Sequence, residues 1–161
     1  MNDMTLSGFI AHLAGASMEI QHHQRTAMER ACRVVEAEAK REIGTYQDAA
    51  APFAGWAELA DSTKEDRVRL GFSENDPGLR TGEMRDSIGH VVGENEGVVG
   101  SNDDKLVWFE LGTDKQTPRS VLGMAAVHKV EDVARILGEG VRAALVGKGV
   151  HNGSMAITGD E

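Results

Sequence analysis

Aromatic residues, cysteine and proline are all scarce in this chain. Aromatics make up 4% of 161 residues, so the core must be built from Ala, Val, Leu, Ile and Met. The few large rings, Trp56, Trp108 and four Phe, then stand out as anchors. A single cysteine, Cys32, excludes an intrachain disulfide framework. Its place between Ala31 and Arg33 in a helical stretch fits a small buried hydrophobe. Only 3 prolines against 19 glycines imply turns and flexible ends rather than rigid linkers. No apolar run approaches the ~20 residues that span a bilayer. Asp3 near the start, with no basic segment ahead of an apolar one, argues against a signal peptide. The expectation is a protein made and used without crossing a membrane.

Basic charge is also short. Lys and Arg number 17 against 26 Asp and Glu, a net charge of -9. Such a balance disfavours holding a phosphate backbone by counterion release. An acidic face could still line a passage for DNA without gripping it.

What is present is long helical periodicity. Apolar or small residues recur at helical spacing from Thr5 to Ile43, with Asn2 or Asp3 as a cap and Gly44 as a stop. A helix this long cannot bury its stripe on a small domain alone, so part of it is expected to pack on another subunit. Ser62-Thr63-Lys64-Glu65 reads as a capping box opening a short helix from Thr63 to Leu70, ended by Gly71. Thr81 to Asp86 reads as a helical turn. Ile88–Val92 and Gly97–Ser101 read as strands joined by a hairpin loop, and Leu106–Leu111 as a third strand or a short helix. Thr117-Pro118 predicts the start of a second long helix running to Val146, with Gly138 and Gly140 as unexplained weak points. The expected fold is α+β: a small antiparallel sheet packed with two long helices. Residues 1–44 form the first helix, 45–146 the core with the second, and 147–161 a flexible glycine-rich tail.

Chemistry-bearing residues are sparse. His22 and His23 are adjacent, whereas ligands on one helix face need i, i+3 or i, i+4 spacing. His12, His90, His128 and His151 are scattered. Asp103, Asp104 and Glu110 with His90 offer a conceivable nuclease or hydrolase cluster, but the two Asp fall in a turn, where Asp bonds its own backbone. No phosphate-binding glycine loop and no Gly-x-Ser-x-Gly elbow occurs. No catalytic residue, metal or cofactor is assigned. Arg119 at a helix start opposes the dipole and so calls for a carboxylate. Glu110 is the candidate, within the subunit or across an interface.

The order of motifs resembles the bacteriophage virion-morphogenesis family of neck, head–tail joining and tail-completion proteins. The resemblance runs over about residues 52 to 140. It rests on Trp56-Ala57-Glu58-Leu59 with Thr63, on Leu79-Arg80-Thr81-Gly82-Glu83-Met84-Arg85-Asp86-Ser87-Ile88, on Trp108-Phe109-Glu110-Leu111-Gly112-Thr113, and on Arg119-Ser120-Val121-Leu122-Gly123. Met84 replaces the usual Leu, and Ser120-Val121 the usual Pro-Phe. The resemblance implies a non-enzymatic virion protein at the head–tail junction, assembled in the host cytoplasm. It implies a homo-oligomeric ring, a hexamer or else a dodecamer, through which DNA passes without specific binding. The partners would be neck proteins: portal, adaptor or stopper on one side, tail terminator or tail tube on the other. The structural and interface residues implied are Trp56, Thr81, Gly82, Trp108, Phe109, Glu110, Gly112, Thr113, Arg119 and Leu122. Rival readings are another minor capsid or tail protein, a phage nuclease or hydrolase, and a helix-mediated regulatory binding protein.

Overall fold

A computed structural model describes residues 6–146 of the chain; the expected caps Asn2 and Asp3 and the glycine-rich tail from residue 147 lie outside the described residues. The architecture is α+β. In chain order the elements are α1 (Leu6–Glu42), α2 (Asp61–Arg69), α3 (Glu83–Asp86), β1 (Ile88–Val92), β2 (Gly97–Ser101), α4 (Asp104–Leu111) and α5 (Leu122–Val146). The strands pair antiparallel, with His90 opposite Val99 and Val91 opposite Val98. Their two-residue period turns Ile88 and Val99 into the core and leaves Val91 and Val98 outside.

Among the described side chains of α1, the buried ones lie in its second half. Ala27, Ala31, Cys32, Glu38, Ala39 and Glu42 are buried, whereas Leu6, Ile10 and Met18 are exposed. Lys40 and Arg41 in the last turn suit the negative end of the dipole. The chain then leaves the helix at Gly44, whose amide donates to Pro77 O at 2.8 Å. α5 runs along α1. At their far end Ala27, Ala31 and Ile136 form a small apolar contact. Gly140 makes that approach possible, because a Cβ there would stand 2.5 Å from Ala27 Cβ. This supplies the reason that Gly140 lacks in the sequence. Gly138 faces open space, and nothing in the structure explains it. The main core lies at the other end, where Ile43, Trp56, Met84, Ile88, Leu106, Phe109, Val121 and Met124 meet.

Three local expectations are corrected or narrowed. The capping box does not form: α2 begins at Asp61 after Ala60, so Ser62 and Glu65 fall inside the helix and no side chain caps it. Of the two forms expected for Leu106–Leu111, the short helix is the one that forms. Asp103 caps α4 by accepting from Lys105 N at 2.9 Å. α5 begins at Leu122 rather than after Thr117, because its first amides are claimed by a side chain from α4, described next. The apolar row expected on this helix, Leu122, Ala126, Val130, Val133, Ile136, Leu137, Val141 and Leu145, is met in part: Ile136 is buried, Leu122, Val133 and Leu137 are half-buried, and the side chain of Leu145 lies outside the described ones. Val121, Met124, Ala125, Ile136 and Ala144 are buried, whereas Ala126, Val130 and Val141 are exposed.

Candidate functional site

Part of the motif block becomes a bracket that sets α5 in place. Glu110, in the last turn of α4, turns its carboxylate toward the start of α5. Oε2 accepts from Val121 N at 2.5 Å and Leu122 N at 2.9 Å. Oε1 accepts from Gly123 N at 3.0 Å and Ser120 Oγ at 2.6 Å. A carboxylate facing several free amides at a helix N-terminus satisfies the groups that have no intrahelical partner and opposes the dipole's positive end. Gly112 makes the turn that allows this. Its φ is 75°, and a Cβ there would meet Gln116 O and Pro118 at 2.8 Å.

Arg119 does not pair with Glu110. It is buried, and its Nε and Nη2 donate to Ala57 O at 2.9 and 2.7 Å, with Nη2 also reaching Glu58 O at 3.0 Å. Burial pulls its pKa below the ordinary arginine value. Its guanidinium lies 5.7 Å from the centre of the Phe109 ring. Within the subunit the expected pair does not form, because Arg119 precedes the helix, in the irregular segment 117–121, and turns to backbone carbonyls. Its amide donates to Phe109 O at 2.7 Å instead of starting a turn. Trp56 closes the bracket from the other side. Its Nε1 donates to Ser120 O at 3.0 Å and its ring meets Phe109 edge-on at 5.4 Å. Leu122 packs against the same core.

The remaining motif residues stand apart. Gly82 precedes α3 with φ of 88°, and Thr81 Oγ1 accepts from Glu83 N at a long 3.4 Å. Thr113 is exposed and forms a tight turn with Gln116, its amide donating to Gln116 O at 2.8 Å. Trp108 is 55% exposed on the outer side of α4, beside exposed Val107 and Leu111.

The conceivable hydrolytic cluster is not assembled. Asp103 caps α4 and Glu110 caps α5, while His90 is clasped by α1: Nε2 lies 3.1 Å from Glu29 Oε1, and Nδ1 contacts Glu36 Oε2. The bonds to Glu36 and Glu29 raise the His90 pKa above its ordinary value; Glu29 is lowered by His90 first and Arg33 next, and Glu36 by Lys40 first and His90 next. With both ring nitrogens engaged by carboxylates, neither is free to take a proton from a substrate.

A second polar group sits between α1 and α5, and the sequence reading passed over it. Glu38 and Glu42 are buried on α1, and His128 of α5 faces both, Nδ1 being 2.9 Å from Glu42 Oε1 and 3.7 Å from Glu38 Oε1. Burial first, then the nearby Glu38 charge, pushes the Glu42 carboxyl up to about 8. Arg41 holds Glu38 well below the usual carboxylate range. The available signal was positional: Glu38 and Glu42 extend the buried row begun by Ala27 and Ala31. No family model, curated protein or solved structure matches the chain.

Proposed function

We propose that the chain is a structural subunit of a phage head–tail junction, built as a closed ring that joins the capsid portal complex to the tail and surrounds the DNA passage. The observation that carries the reading is the use made of the motif block from Leu79 to Gly123. Glu110, Gly112 and Arg119, with Trp56, are spent on fixing the helix that follows, which is an architectural task. Large apolar side chains left uncovered support it too: Val91 and Val98 on the hairpin, Val107, Trp108 and Leu111 on α4, and Leu6, Ile10 and Met18 on α1. Exposed apolar groups in several places suit a subunit with neighbours on more than one side. Heterologous contacts close into a ring where the rotation between neighbours returns to the start. The net charge of -9 fits a channel that lets DNA slide.

The nuclease reading has no observation in its favour among the described residues, since His90, Asp103 and Glu110 each serve different partners. Native mass measurement of the full chain tests the proposal. A closed oligomer of about six or twelve copies, alone or with neck proteins added, is the expected result. A monomer under both conditions would overturn it.

A further inference from the structure

We propose that Glu38, Glu42 and His128 form a site for one divalent transition-metal ion of the zinc class, which staples α1 to α5. The inference does not depend on the virion reading. Three ligand atoms, one from each residue, lie within 4.8 Å of one another. Glu38 and Glu42 are four positions apart and so share one helix face, the spacing at which a helix offers two ligands to one ion. The third ligand comes from the other helix. Zinc bonds of ~2.0–2.2 Å in a tetrahedron place ligand atoms roughly 3.3–3.6 Å apart. The two separations from His128 Nδ1, 2.9 Å to Glu42 and 3.7 Å to Glu38, straddle that edge length. The third separation, between the Glu38 and Glu42 oxygens, lies within 4.8 Å, so binding would draw the two carboxylates together.

An independent observation points the same way. Glu42 has no exposed surface, and its Oε2 has no hydrogen-bond partner. A buried carboxylate oxygen without a donor costs stability, and such orphans are rare in native proteins. Its sister oxygen already faces His128, so a cation seated among the three residues would lie against this carboxylate and satisfy it. Two carboxylates and one imidazole make a mixed oxygen and nitrogen set that suits zinc, with manganese or ferrous iron as weaker competitors. Three protein ligands leave a fourth position for water. The partly exposed side chain of His128, 32% accessible, marks the way in. One neighbouring cation competes for the site. Arg41 holds both Glu38 oxygens, with Nη2 on Oε1, so an ion must displace this 67% exposed side chain, whereas Lys129 approaches Oε2.

The test is calorimetric titration of zinc chloride into the full chain after removal of metals with a chelator. The expected result is one saturable equivalent, accompanied by a rise in melting temperature. His128→Gln, at the most exposed of the three positions, should weaken that equivalent by at least the roughly 10–100-fold that loss of an outer-shell partner typically costs. Its metal-free melting temperature should stay close to that of the parent. Glu38→Gln should act in the same direction, which keeps the test open if Glu42→Gln fails to fold. Asparagine at both His22 and His23 should leave the equivalent intact. Three results would overturn the site: no saturable binding, an isotherm unchanged by His128→Gln, or an isotherm abolished by the His22 and His23 changes. The last two would mark an adventitious ion only.

Discussion

At the scale of single residues, Glu110 carries the heaviest structural duty. Its two oxygens accept four hydrogen bonds at the entry to α5. Glu110→Ala should cost about 2–3 kcal/mol, the sum expected from a lost cap and from amides left unpaired in a half-buried place. Urea unfolding of the purified variant measures it. Reversing the charges at Glu110 and Arg119 together should rescue nothing, because the two do not touch. Recovery of stability in the double variant relative to either single one would show that they pair after all. His90 gives a pH signature. Its pKa is raised from 6.5 by the bonds to Glu36 and Glu29, so its stabilising contribution is complete below that value and fades as pH rises through the raised one. Glu29 and Glu36 are lowered from 4.5, so their share is present above that value and fades as pH falls through their lowered ones. The stability difference between the parent chain and His90→Asn should therefore be greater at pH 6 than at pH 9. Equal differences at the two pH values would refute this account. None of these partnerships was legible in the sequence. His90 and Glu36 are 54 positions apart, and helical or strand spacing says nothing about a contact between two elements.

At the scale of elements, the two glycines of α5 separate propensity from packing. Gly138→Ala should stabilise by up to about 1 kcal/mol, because the site is open and alanine is the better helix former. Gly140→Ala should destabilise despite the same propensity gain, since its methyl would press on Ala27 at the helix crossing. Thermal unfolding of the two variants should move in opposite directions. The strands and both long helices were readable because each repeats a simple period over its own length. Helix starts were not. The Ser62-x-x-Glu65 pattern matched a cap that the chain does not use, and Thr117-Pro118 marked a start that comes later. Caps depend on which side chain reaches the amides, and for α5 that side chain belongs to α4.

At the scale of the whole molecule, α1 is too long for what covers it. Its 37 residues extend roughly 55 Å, against roughly 37 Å for the 25 residues of α5. The excess exposes Leu6, Ile10 and Met18. If the chain assembles as proposed, Ile10→Glu with Met18→Glu should shift its native mass toward smaller species. The unfolding midpoint of the dissociated subunit should not change. An unchanged mass distribution would remove this helix end from the interface.

The sequence by itself determined the two strands and their hairpin, the two long helices, the α+β class and the excess length of α1, because these follow from local period and turn chemistry. The tertiary structure alone decided that Glu110 caps α5, that Arg119 holds the loop at Ala57, and that Glu38, Glu42 and His128 meet. Each of these brings together groups from separate elements, whose positions depend on how the helices cross.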